Sequence, residues 1–232
     1  QAVADASGAS VPADGFALID DPSVDAIIIA SHDSTHAELT LAAIKCGKPV
    51  LCEKPLAPTV SESAAVVAAE RAAVGPGLSL VSVGFMRRFD PGYVRMKEAL
   101  AAGRVGPAVL VHGISRGVSA GPGATSESSI TGSAIHEFDC VPWLLDSPIT
   151  EVSWHAGRQS GAVDLALRDP QVLLLRMADG VLTTVEVFLN ARYGYDVRCE
   201  IVGDQGTLAL TEPITSMRDG GRWVTVEPPA LG

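Results

Sequence analysis

Apolar and polar positions follow two different rhythms along this chain, and the rhythm changes once. In the first part, short apolar runs alternate with stretches of helical spacing. Ala17 to Pro22 has the pattern of a short helix and turn. Val24 to Ala30 is β-branched and nearly continuous in apolar character, which predicts a fully buried strand. Thr35 to Cys46 places Leu39, Ala42 and Ala43 at helical spacing, and Gly47 follows as a C-cap. Pro49 to Cys52 is the next strand. Thr59-Val60-Ser61-Glu62 is a capping box that opens an alanine-rich helix to about Ala73. Gly75-Pro76-Gly77 breaks the chain, and Leu78 to Phe85 is a third strand. Strands alternating with helices in this way predict a parallel sheet with crossover helices.

After Phe89 the pattern shifts. Pro91 to Ala102 is helical and stops at Gly103, and Ala108 to Ser115 reads as a strand. Ala120 to Ser129 is rich in Gly and Ser and reads as a loop, and Ser133 to Leu145 as a helix with its Ile135, Phe138 and Leu145 stripe facing a core. Turn signals at Ala178-Asp179-Gly180 and Gly203-Asp204-Gln205-Gly206 predict two hairpins, Val172–Met177 with Val181–Asn190 and Val197–Val202 with Thr207–Leu210. This is an α+β domain on a largely antiparallel sheet. The expected boundary is near Arg88, giving domains 1–88 and 89–232.

Charge and composition narrow the partners. The net charge is −10, from 17 basic and 27 acidic residues, and no Lys/Arg cluster offers a footprint for a polyanion, so no nucleic-acid partner is expected. No apolar run reaches membrane-spanning length and no signal peptide is recognisable, so no membrane partner and a cytoplasmic location are expected. The four cysteines, Cys46, Cys52, Cys140 and Cys199, are widely spaced and read as reduced, buried thiols with no metal site.

Two positions carry candidate chemistry. Lys54, in Glu53-Lys54-Pro55, follows directly on the buried run from Pro49, at the strand end where α/β folds bind ligands. A lysine in that crevice suits proton handling, because its pKa moves readily on burial; a lysine there can also simply reach solvent. His136 has Ser133 and Asp139 one turn to either side, so all three share a helix face. Such a face is either the wall of a site or the setting of a helix histidine that satisfies a neighbour.

Three stretches, Ala30-Ser31-His32-Asp33-Ser34-Thr35-His36, the run from Gly47 to Pro55 and Gly84-Phe85-Met86-Arg87-Arg88-Phe89-Asp90, resemble the glucose–fructose oxidoreductase/inositol dehydrogenase/MocA family. His136-Glu137-Phe138-Asp139 and Tyr193-Gly194-Tyr195-Asp196 look like its inositol 2-dehydrogenase branch. The resemblance implies an incomplete Rossmann-type parallel sheet followed by the α+β domain, and an NAD- or NADP-dependent oxidoreductase acting on a polyol, cyclitol or sugar hydroxyl. It implies that Lys54 holds the reacting hydroxyl and His136 accepts its proton, which suits a group that titrates near neutral pH. It further implies that Ser133, Asp139, Tyr193 and Tyr195 bind substrate and that Ser31, His32, His36, Glu53 and Lys54 line the cofactor. A homo-oligomer, dimer or tetramer, follows from the same likeness.

The sequence also departs from the family pattern. No G-x-G-x-x-G follows an amino-terminal strand, so the chain is expected to be a piece of a longer protein whose upstream part carries that fingerprint. Gly132 stands four residues before His136, where the family carries an acid, and Ser115 stands where inositol dehydrogenases carry a histidine. Gly132 and the absent fingerprint keep two alternatives in view. One is a non-catalytic sugar- or cofactor-binding or regulatory protein on the same scaffold; the other is an NAD-dependent glycosidase.

Overall fold

The computed structural model describes residues 2–160 and 166–210, with the backbone of 216–219 and 222–225. The chain divides into two units, Gln1–Phe85 and Met86–Gly232.

In the first unit, helices α1 (Ala2–Ser7) and α2 (Gly15–Asp20) precede strand β1 (Ile27–Ile29). Helix α3 (His36–Lys45), strand β2 (Val50–Cys52), helix α4 (Val60–Val74) and strand β3 (Val81–Val83) follow. The strands pair in parallel in the order β1-β2-β3, with Ile29 opposite Cys52 and Cys52 opposite Val83. They are shorter than the apolar runs that announce them, and they are not buried on both faces. Ile27, Ile29, Val50 and Cys52 turn inward against Ile19 of α2 and Ala43 of α3, whereas Ile28 is 74% exposed and Leu51 45%. Among the described residues the helices cover one face, so burial along these strands alternates with period 2.

The capping box on α4 forms as its sequence predicts: Thr59 Oγ1 accepts from the Glu62 N–H, and the Glu62 carboxylate accepts from the Thr59 N–H. At the other end of α4, the Glu70 carboxylate accepts from the N–H groups of Leu80 and Val81 and from the Ser79 hydroxyl. That side chain ties the helix to the start of β3. Gly47, with φ of 68°, closes α3 in the left-handed conformation that glycine adopts without strain. Cys46 beside it is exposed, which corrects the expectation of four buried thiols; Cys52, Cys140 and Cys199 are buried.

The second unit is built on a six-stranded sheet of order β5-β6-β7-β4-β8-β9. Its strands are β4 (Ala108–Arg116), β5 (Ile149–Ala156), β6 (Gln171–Met177), β7 (Leu182–Phe188), β8 (Asp196–Gly203) and β9 (Thr207–Ala209). All neighbours are antiparallel except β4 and β7, which run parallel. Both predicted hairpins form, β6 with β7 and β8 with β9. Strand β5 had no clear signal because almost every residue in it is exposed, including Val152 and Trp154. A separate backbone hairpin joins β10 (Ser216–Asp219) to β11 (Arg222–Thr225).

Helices α5 (Pro91–Ala101) and α7 (Ile135–Leu145) lie on one face of this sheet. Alternate residues Leu173, Leu175 and Met177 of β6 and Val185 and Val187 of β7 meet Met96 of α5 and Val141 and Leu144 of α7. Each such burial contributes about 1.5–3 kcal/mol. Two expectations change here. The Ser-rich stretch before α7 is not all loop, because Thr125 caps a short helix, α6 (Ser126–Ser129). The most deeply buried stripe of α7 is Glu137, Cys140, Val141 and Leu144, rather than Ile135, Phe138 and Leu145. Apolar spacing could not identify that stripe, since it begins with a carboxylate.

Candidate active site

The carboxyl ends of β1 and β2 lie side by side because the strands are parallel and in register. Just beyond β1, the Ser31 hydroxyl bonds the Thr35 hydroxyl at 2.6 Å. The His32 ring is largely exposed, and its Nδ1 lies 3.3 Å from the Ser34 N–H nitrogen, 3.0 Å from the Ser34 hydroxyl and 2.9 Å from the Asp33 carboxylate. Just beyond β2 come Glu53, exposed, and Lys54, half-buried. Glu53 Oε2 accepts from the Lys54 N–H at 3.2 Å. Its carboxylate also lies flat against Gly84, where an added Cβ would stand only 3.1 Å from Oε2. Glycine at 84 is what lets the carboxylate take that pose.

His36 does not open onto this edge as expected of a residue lining a cofactor. It is 1% exposed, with Nδ1 2.7 Å from the Pro55 carbonyl and Nε2 3.1 Å from the Ser31 carbonyl. The ring is occupied by backbone behind the edge. Ser31, His32, Glu53 and Lys54 remain as hydroxyl, imidazole, carboxylate and ammonium groups around two adjacent strand ends, and that donor set fits the polar part of a nicotinamide nucleotide.

In the second unit the chain enters α7 through a π-helical turn, Ile130–Ala134, in which the Ile135 N–H reaches back to the Ile130 carbonyl. Turns of this kind are frequent at functional sites because they change the direction of the following side chains. Gly132 and Ser133 sit in the turn, and His136 in the first turn of α7. Ser133, His136 and Asp139 are all half-buried. A Cβ built on Gly132 meets nothing within 4 Å, and its φ is outside the left-handed range, so a side chain there is neither crowded nor strained.

Two consecutive arginines hold α7, and apolar spacing gave no sign of them. Arg88 forms a two-pronged ion pair with Asp139. Arg87, 4% exposed, pairs with Glu137, 1% exposed, and lies 5.7 Å from the centroid of the Tyr93 ring. Burial raises the Glu137 carboxyl above the usual carboxylate range, and Arg87 opposes that rise. Burial likewise pushes the neighbouring Cys140 thiol up to about 12, which keeps it inert. The available signal was chemical: a glutamate on the inward side of an apolar helix requires a cation.

The two tyrosines have different surroundings. The Tyr193 hydroxyl accepts from Arg116 at 2.8 Å, and Arg116 also forks onto Glu186. Tyr195 is 57% exposed and lines a cavity of about 720 Å³ together with Arg87, Phe89, Tyr93 and Arg95. His136 and Asp139 are not part of that cavity's lining. Within the second unit the π turn and α7 carry Ser133, His136 and Asp139 in succession, while Tyr193 bonds Arg116.

Comparison with known proteins gives a consistent picture. A family described as "Oxidoreductase family, NAD-binding Rossmann fold" matches residues 1–75, and "GFO/IDH/MocA C-terminal domain" matches residues 93–209. Inositol 2-dehydrogenase 2 of Paenarthrobacter aurescens is 55% identical over 88% of this chain and 62% of its own length. Inositol 2-dehydrogenase of Paracoccus denitrificans is 46% identical over 87% of this chain and 59% of its own. The chain thus spans about six-tenths of the length of these curated relatives. Among solved structures, myo-inositol dehydrogenase from Lactobacillus casei, in complex with NAD(H) and myo-inositol, superposes with a TM-score of 0.85 at 31% identity, covering 97% of this chain and 67% of that one. With both halves of its sequence matched in order, this chain belongs to the GFO/IDH/MocA oxidoreductase family.

Proposed function

We propose that this chain carries the reacting side chains of an NAD(P)-dependent dehydrogenase that oxidises a CH–OH group of a cyclitol, with myo-inositol the first substrate to test. The observation that supports this most is the 55% identity to an inositol 2-dehydrogenase across 88% of the chain. The placement of Lys54 at a strand's carboxyl end and of His136 in the first turn of α7 accords with it.

In this reading the Lys54 ammonium donates to the oxygen of the reacting hydroxyl and steadies the negative charge that develops there. His136 accepts the hydroxyl proton as a general base, a contribution of roughly 10²–10⁴ in rate. A bound nicotinamide cofactor would supply the hydride acceptor for the same carbon. Ser31, His32 and Glu53 line the cofactor. Ser133 and Asp139, the latter oriented by Arg88, hold ring hydroxyls, and Tyr195 closes the substrate side. The half-exposed face of the six-stranded sheet is assigned to contact between copies in a homo-oligomer.

One observation favours a second reading. With Gly132 in place of an acid, His136 has no carboxylate from that position, as in a binding protein that has lost turnover. NAD(P)H formation by the whole gene product, followed with myo-inositol, scyllo-inositol and a panel of hexoses, separates the two. Turnover on at least one cyclitol supports the dehydrogenase. Saturable cofactor binding with no turnover on any member supports the binding protein.

A further inference from the structure

We propose that His36 is a positioning residue: by packing between the carbonyls of Ser31 and Pro55 and donating to one of them, its ring holds together the two strand-end turns that carry Ser31 and Lys54. The proposal rests on the dehydrogenase reading above, and it concerns how Lys54 is held rather than what it does.

Three features carry it. First, the ring is 1% exposed, and its nitrogens lie 2.7 Å from the Pro55 carbonyl and 3.1 Å from the Ser31 carbonyl. Carbonyl oxygens only accept and a neutral imidazole carries one N–H, so the ring donates to one of these carbonyls and packs against the other. Second, the two carbonyls belong to different turns. Ser31 leaves β1, and Pro55 is bonded to Lys54 just beyond β2. A single ring therefore fixes the separation of two segments that sequence places 24 residues apart. Third, the bracing is local and continuous. His36 is the first residue of α3, and the 3₁₀ turn Asp33–Thr35 before it holds the Ser31 hydroxyl through Thr35. On the same helix, Thr40 is fully buried. No solvent reaches His36 to replace a lost donor, so removing the ring nitrogens leaves a buried carbonyl without its partner and loosens the contact between the turns.

A lysine that must meet a reacting oxygen is sensitive to such movement, since a misplacement of about 1 Å can cost on the order of 10²-fold in rate. His36→Phe keeps a planar ring and removes the N–H donor, and His36→Asn restores a donor on a shorter side chain. The expected result is a kcat for His36→Phe lowered about 10- to 100-fold with a Tm lowered by a few degrees, and His36→Asn between it and the parent in both. A positioning role acting through Lys54 also requires that His36→Phe add little to the loss already caused by Lys54→Ala, because effects of residues that act as a unit are not additive. A purely structural role would multiply the two losses.

A second readout is independent of turnover. Acetic anhydride labelling of Lys54, quantified by mass spectrometry in the whole gene product, is expected to change by about threefold or more in His36→Phe and in His36→Asn, with Lys48 as internal reference. A kcat within about twofold of the parent, or a full additional loss in the Lys54→Ala background, would overturn the proposal. If the parent turns over no cyclitol, the dehydrogenase reading fails on that result alone. The labelling then still decides the bridge: unchanged Lys54 reactivity rejects it and a changed one supports it. Should His36→Phe not fold, His36→Asn carries both readouts.

Discussion

The Arg88 guanidinium lies across the Asp139 carboxylate in a two-pronged grip, Nε 2.8 Å from Oδ2 and Nη2 2.5 Å from Oδ1. Arg88 is partly exposed and Asp139 nearly buried, so the arginine decides which carboxylate lone pairs are left for a ligand. Arg88→Lys retains the charge and loses the fork. We expect KM for the cyclitol to rise about 3- to 30-fold while Tm moves little, as steady-state kinetics beside a melting curve will show.

Arg87 and Glu137 form a different kind of pair, with both side chains out of water. Removing either partner strands a buried charge, so Arg87→Met or Glu137→Leu alone should destabilise the fold by about 3–5 kcal/mol. The double variant should recover most of that loss, because replacing a buried pair by apolar groups is often close to neutral. Urea denaturation of the two single variants and the double variant measures the difference.

Glu70 provides a pH dependence with a definite sign. Burial pushes its carboxyl up, but the hydrogen bonds from Val81, Ser79 and Leu80 outweigh this and bring it below its ordinary 4.5. A carboxyl lowered on folding adds stability that is present above the unfolded value and lost as the pH falls through the folded one. The stability difference between the parent and Glu70→Gln should therefore be largest above pH 4.5 and shrink in more acidic solution. Denaturation of both proteins across that range checks it, and a constant difference would argue against the role given to the ionised form.

Gly132 allows a direct test of His136. A Cβ at that position meets open space and the backbone is not left-handed, so Gly132→Asp should fold normally. A carboxylate one turn before the imidazole favours its protonated form. Because the base must be unprotonated to accept a proton, the rising limb of the oxidation rate should move to higher pH, with increased turnover on at least one cyclitol. A well-folded variant with an unchanged pH–rate profile would remove His136 from the base role.

How much of this was legible in the sequence depended on whether the signal was local. The capping box from Thr59 to Glu62 is complete within four residues, and it is present as read. Both hairpins were marked by their turns, and Lys54 by the apolar run before it. What the sequence could not reveal was tertiary. The pairing of Arg87 with Glu137 spans 50 residues, and the buried stripe of α7 runs through Glu137, Cys140, Val141 and Leu144 rather than Ile135, Phe138 and Leu145. The role of His36 depends on two carbonyls, which are the same in every residue and so leave no trace in a pattern. Ile28 reads as buried from its neighbours, but its exposure depends on what covers the second face of the sheet.

We propose hydride transfer from a cyclitol carbon to a nicotinamide cofactor as the reaction this chain serves. The most direct measurement incubates the whole gene product with NAD⁺ or NADP⁺ and myo-inositol deuterated at its ring carbons, and follows the label by mass spectrometry. We expect deuterium in the reduced cofactor, one atom per turnover, and its disappearance in Lys54→Ala while cofactor binding persists. Cofactor bound by the parent with no deuterium transferred from any cyclitol offered would contradict the account.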